Sequence, residues 1–184
     1  IFANLSGNPA LIERFGSPDS SDIGCWAVTE PDHGSDSLAA TTTAFDEPRV
    51  LMGCTAVRDG DHYVIRGQKS AWVSNGTIAT VATLFCTIDP SGGFQRGGVC
   101  LVPLDLPGVS RGKPLDKLGQ RALNQGEIFF DDVRIPASHM VVGTEAYSGI
   151  VEMVLAAANA FMGTTFVGVA RAAYEHALAY ARER

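Results

Sequence analysis

The chain contains two tryptophans, and each stands in a short segment dense in glycine, hydroxyl and charged side chains. The first segment is Cys25-Trp26-Ala27-Val28-Thr29-Glu30-Pro31-Asp32-His33-Gly34-Ser35-Asp36. Residues Trp26 to Thr29 read as a short buried strand, and Pro31 stops it from continuing. Gly34 lets the backbone come close to a ligand, and Ser35 sets a hydroxyl beside exposed amides. This combination can cradle an extended polar cofactor, and by the same turn chemistry it can also be a turn and nothing more. The second segment, Gly67-Gln68-Lys69-Ser70-Ala71-Trp72-Val73-Ser74-Asn75-Gly76, places Trp72 two residues before the Ser74 hydroxyl. A tryptophan in such polar company near a turn either offers a ring face to a flat ligand or caps a small sheet.

The elements that must hold these segments are mostly strands. Ile1 to Asp22, with Asn8-Pro9 and Gly16-Ser17-Pro18, suits a short helix followed by a loop. From Cys25 to about Ile135 the expected strands are Val50–Val57, Tyr63–Arg66, Ala79–Ile88, Val99–Pro103 and Glu127–Val133. Asp59-Gly60 is a hairpin signal, and turns are expected at Asp89-Pro90, Gly92-Gly93, Gly97-Gly98 and Pro107-Gly108. Short strands without intervening helices predict an antiparallel β barrel or sandwich. Ser148 to Arg184 holds no proline and reads as one helix, about 55 Å long at 1.5 Å per residue. A β domain of this size spans only roughly 35 Å, so the helix must meet further helices or a second subunit. Met153 to Ala170 carries no charge, but its alanines, glycines, Asn159, Thr164 and Thr165 argue for a bundle helix and against a membrane span.

Composition narrows the classes. In 184 residues, 46% hydrophobic content is enough for a buried core. A net charge of −6 with no basic cluster argues against nucleic acid as a partner. Cys25, Cys54, Cys86 and Cys100 show no Cys-x-x-Cys spacing and read as buried free thiols. His33, His62, His139 and His176 also lack ligand spacing, so no metal is expected. The chain starts at Ile1 and both ends break off within helical patterns, as expected of a piece of a longer protein.

Taken with Asp116-Lys117-Leu118-Gly119-Gln120-Arg121, Glu127 to Pro136 and Gly168-Val169-Ala170-Arg171-Ala172-Ala173, the two tryptophan segments resemble the acyl-CoA dehydrogenase family of flavoproteins. The resemblance runs from about residue 10 to residue 184 and keeps the family's order. It implies an α+β fragment: residues 1–23 close an N-terminal helical domain, 24–140 form the middle β domain, and 141–184 begin a C-terminal helical bundle. It also implies FAD as cofactor, bound by Trp26, Ala27, Val28, Thr29, Gly34, Ser35, Trp72, Val73 and Ser74. Trp72 would lie against the ring, the Ser74 hydroxyl would reach toward N5, and Ser35 and His33 would border the substrate arm. The implied reaction is α,β-dehydrogenation of an acyl-CoA or other acyl thioester. An electron-transfer acceptor would collect the electrons from a homotetramer or dimer. The setting would be intracellular, cytoplasmic in a bacterium and mitochondrial in a eukaryote.

Glu30, before Pro31, reads as a tie for its loop, and Lys117, Arg121, Asp132 and Arg134 read as charges that maintain the fold. The sequence departs from the family's pattern at several points. Ala158 stands where some members carry the catalytic glutamate, so no catalytic residue is assigned here and the base is expected beyond Arg184. Asn159 and Ala156 replace an arginine and an acidic residue, His33 replaces a small residue, and one extra residue separates Lys69 from Trp72. An oxidase or monooxygenase of the same fold, or a non-catalytic module that retains it, are the alternatives.

Overall fold

The computed structural model describes residues 2–184, so Ile1 of the expected opening helix lies outside them. The chain opens with α1 (Phe2–Leu5) and α2 (Pro9–Leu11), the second capped by the Asn8 side chain, which accepts from the Ala10 N–H. Eight strands follow: β1 (Gly24–Ala27), β2 (Thr55–Asp59), β3 (His62–Ser74), β4 (Val81–Thr87), β5 (Gly97–Pro103), β6 (Val109–Arg111), β7 (Gln125–Pro136) and β8 (Met140–Val142). The 40-residue helix α3 (Thr144–Glu183) ends the fold.

The strands form one eight-stranded sheet in the order β6-β7-β3-β2-β4-β5-β8, with β1 added beside β4. Most pairings are antiparallel, as expected. The two exceptions share one edge of β4, where Gly24–Ala27 and, further along, Thr55 both pair in parallel. The β2–β3 hairpin turns at Gly60, whose φ of +58° suits the glycine of the Asp-Gly signal.

β4 and β5 are apolar almost throughout because a core lies on each side of them. On one side Leu84, Cys86, Cys100 and Val102 pack with Ile65, Val73, Ile128 and Val133. On the other, Phe85, Val99 and Leu101 pack with Phe2, Phe45, Tyr147 and Val151, which fastens the first turns of α3 to the sheet. Beyond Val154 the helix leaves the sheet, and Phe161, Met162, Phe166, Val167 and Tyr174 are exposed. By length and composition alone this helix could cross a membrane.

Several strand bounds differ from expectation for local reasons. β1 ends at Ala27 because the Val28 carbonyl accepts from Lys69 Nζ (2.8 Å) and the Thr29 carbonyl from the Ser70 N–H (3.0 Å), turning the chain from β4 toward β3. Residues 50–54 are irregular, since the Gly53 and Cys54 N–H groups serve the Glu30 carboxylate and no neighbouring strand. β3 runs to Ser74, well past Arg66, through two register shifts opposite β7. α3 begins at Thr144, one turn before Ser148.

All four cysteines are free and buried. Burial pushes the Cys25 and Cys54 thiols up from 9.0 to about 12. At pH 8 they should resist iodoacetamide in the folded chain and react once urea is added. Above pH 9 the unfolded chain binds fewer protons at these sites than the folded one. Stability is therefore intact below pH 9 and falls toward pH 12, by up to about 1.4 kcal/mol per pH unit per thiol. Urea midpoints at pH 8 and pH 11 check this, and equal midpoints would contradict it.

Candidate functional site

The bulge in β3 builds the centre of the site. Between the pairs Lys69↔Ile128 and Val73↔Gly126, β3 spends four steps where β7 spends two, so Ser70, Ala71 and Trp72 arch away from the ladder. Trp72 is consequently 59% exposed although it sits on an inner strand. Val73 returns to the core with no exposure, and Ser74, two residues from Trp72, shares its face of β3.

Trp72 forms a wall of two neighbouring pockets. One, of about 340 Å³, is lined also by Thr29, Glu30, Pro31, Asp32, His33, Gly34, Ser70 and Ala71. The other, of about 520 Å³, lies between Trp72, the loop Asp116–Gln120 and Gln125. The Thr29–Gly34 loop is held in shape from beneath. Lys69, fully buried, donates to Glu30 Oε1 at 2.6 Å, while the Glu30 carboxylate accepts from Gly53 N–H (2.6 Å) and Cys54 N–H (3.0 Å). Glu30 thus ties its loop to β3 and to the segment before β2.

Gly34 has open space where a side chain would project, with no atom within 4 Å of an added Cβ. Its N–H donates to Asp36 Oδ1 at 2.7 Å, and His33 Nδ1 meets Asp36 Oδ2 at 2.7 Å. Partial burial pulls the Asp36 carboxyl up, but the bonds from His33 and Gly34 outweigh it and hold the group below its ordinary value. The His33 ring stands edge-on to Phe94 with centroids 5.1 Å apart. Ser35 begins a short 3₁₀ turn and is exposed, one residue outside the pocket lining.

The remaining candidates divide by exposure. Ala27 is fully buried and Val28 nearly so, which leaves only their backbone for any ligand. Trp26 does not share a pocket with Trp72. Its ring packs on Phe2 and Phe85, both with centroids 6.2 Å away, and lines a separate apolar pocket of about 360 Å³ with Met153, Ala157, Ala158 and Phe161. Asp132 pairs with Arg66, and Arg134 with Asp59 at 2.8 Å, so these charges brace β7 against the β2–β3 hairpin.

Gln125 is not singled out by the sequence, and Lys117 is read there only as a charge that maintains the fold, yet both contribute to the site. Lys117 Nζ donates to Gln125 Oε1 (2.8 Å) and to the Leu123 carbonyl (2.7 Å). Gln125 Nε2 in turn donates to Ser74 Oγ (3.1 Å) and to the Trp72 carbonyl (3.3 Å). The only signal for them was the polar 116–125 stretch itself, because the register Ser74↔Gln125 is needed to bring the two together.

Residues 25–133 match the family model described as acyl-CoA dehydrogenase, middle domain. The chain belongs to the acyl-CoA dehydrogenase family. It is 36% identical to the cyclohex-1-ene-1-carbonyl-CoA dehydrogenase of Syntrophus aciditrophicus, a match covering 98% of this chain and 41% of that protein. It is 32% identical to the human short-chain specific acyl-CoA dehydrogenase, mitochondrial, over 100% of this chain and 41% of that protein. A crystal structure of a probable acyl-CoA dehydrogenase from Mycobacterium abscessus superposes with a TM-score of 0.68 at 29% identity, covering 83% of this chain and 37% of that one. The chain therefore spans about two fifths of the length of these relatives. Acyl-CoA dehydrogenases use FAD.

Proposed function

We propose that this chain forms the flavin-holding β domain of an enzyme that dehydrogenates an acyl thioester across its Cα–Cβ bond. The observation that carries this reading is the exposed Trp72, raised on the β3 bulge between two pockets and facing the Thr29–Gly34 loop. These residues fit a flat cofactor with a polar edge. An exposed aromatic side chain is available for stacking, Thr29 lies in the pocket lining, and an added Cβ at Gly34 would have no atom within 4 Å. FAD would supply the acceptor for the hydride removed from the substrate β-carbon. Trp72 orients the ring, the Val28–Thr29 backbone and Thr29 hydroxyl meet its polar edge, and Ser74 offers a hydroxyl on the Trp72 side. Ser35 and His33 are assigned to the passage of the acyl thioester arm, beside the loop they belong to.

Ala158 lines the apolar pocket and cannot take a proton, so the α-proton is assigned to a carboxylate elsewhere in the complete protein. The exposed apolar length of α3 is assigned to a helical bundle or a second subunit of a tetramer or dimer. Arg171 and Glu175, paired at 2.7 Å along the same helix, favour that over a lipid environment. The reduced protein would pass its electrons to a separate acceptor.

The test is a titration of the purified chain with FAD, followed by gel filtration and a visible spectrum of the protein peak. Flavin should travel with the chain, and Trp72→Ala should weaken it roughly three- to tenfold through lost stacking. A colourless wild-type peak, or equal retention by the variant, would overturn the assignment. Slow reoxidation of the reduced complex in air is expected; fast reoxidation would favour an oxidase.

A further inference from the structure

The hydrogen bonds around Gln125 fix the direction of the Ser74 hydroxyl. A glutamine amide can be turned either way, and the choice is settled by neighbours that can only donate or only accept. Lys117 Nζ is only a donor, so the end of Gln125 that it reaches at 2.8 Å is the carbonyl oxygen. The Trp72 carbonyl is only an acceptor, so the opposite end, 3.3 Å away, is the NH₂ group. Both constraints give the same orientation. The second hydrogen of that NH₂ then meets Ser74 Oγ at 3.1 Å, and the hydroxyl must accept it. Among the described residues nothing else takes the Ser74 proton, so it is left to point away from Gln125. Ser74 shares a face of β3 with Trp72, and Gln125 and Trp72 line the same pocket.

We infer that Gln125, anchored by Lys117, is a positioning residue that makes Ser74 an obligate hydrogen-bond donor to the ligand stacked on Trp72. The inference rests on the flavin reading and adds a preference between redox forms. N5 of oxidised flavin is a bare acceptor and suits a hydroxyl that donates. After reduction the same atom carries a hydrogen and needs an acceptor. Gln125 therefore biases the site toward oxidised FAD without touching the reacting atoms itself.

The test is a double-mutant cycle on the binding of FAD, oxidised and dithionite-reduced, to the whole chain. Gln125→Leu frees the Ser74 rotor and should weaken oxidised FAD roughly three- to tenfold. In a Ser74→Ala background the same change should move affinity by less than about twofold, because its route of action is gone. Gln125→Glu keeps the bond to Lys117 and the side-chain size, which guards against a folding failure. Its carboxylate can only accept, so Ser74 must turn its proton inward and present a lone pair to the ligand. The ratio of oxidised to reduced affinity should then fall, and Ser74→Ala should abolish that fall. Equal losses in both backgrounds would show a merely structural role and overturn the inference while leaving the flavin reading intact. If the wild-type chain retains no FAD, both readings fall together.

Discussion

Lys69→Met is expected to lower the unfolding free energy of this chain by about 3–5 kcal/mol, the cost of leaving one member of a buried ion pair alone. The Lys69 side chain is wholly buried and that of Glu30 is 4% exposed, with 2.6 Å between Nζ and Oε1. Methionine matches the length of the lysine stem, so little of the loss comes from a cavity. The loss comes from the Glu30 carboxylate, which keeps the Gly53 and Cys54 amides but loses its only cationic partner among the described residues, and from the Val28 carbonyl, which loses its donor. Pairing the substitution with Glu30→Gln removes the orphaned charge, so the double variant should be less damaged than the sum of the two singles. Urea unfolding of the four chains gives the numbers. A loss below about 1 kcal/mol for Lys69→Met would mean that the pair behaves as an exposed one. The effect reaches the site as well, because Val28 and Glu30 flank Thr29 and the loop beyond it lines the Trp72 pocket.

The sequence exposed the parts of this architecture that depend on neighbours in the chain. Trp72 and the Thr29–Gly34 loop could be selected from residue types alone, since a proline stop, a glycine and an aromatic residue among polar ones are local signals. The Asp59-Gly60 hairpin and the long helix after Pro136 were legible for the same reason. What escaped depends on pairing across the sheet. β6 and β8 are three residues each, too short for any alternation to register. The expected strand stops at Arg66, whereas β3 continues through the polar run Gly67-Gln68-Lys69-Ser70 to Ser74. In the fold Lys69 points into the core, where the carboxylate of Glu30, 39 residues away, and the Val28 carbonyl make a charge tolerable. Gln125 lies 51 residues from Ser74 and is joined to it by register, so no local pattern could have linked them. The tryptophans show the converse limit. Similar surroundings in sequence placed them in separate pockets, because Trp26 on β1 faces α3 while Trp72 rides the bulge.

Gly67→Ala should produce the second large loss, about 2–4 kcal/mol, from backbone strain and close contact together. Gly67 has φ of +128°, a conformation that L side chains rarely adopt, where β3 first slips against β7. A methyl group there would stand 2.6 Å from Cys54 Cα and 3.1 Å from the Gly53 carbonyl oxygen. The atoms it meets are backbone and the Cys54 Cβ, which is fixed to that backbone, so no rotamer change relieves the contact. They also belong to the segment whose Gly53 and Cys54 N–H groups hold Glu30. Displacing that segment pulls two donors away from the carboxylate that Lys69 neutralises. The two substitutions should therefore couple, with Gly67→Ala costing less in a Glu30→Gln chain, where fewer of those bonds remain to be lost. Additive losses in urea unfolding would show that strain at Gly67 and the buried pair are independent. Coupled losses would make the close approach of β3 to residues 53–54 the feature that sets both the buried pair and the bulge on which Trp72 stands.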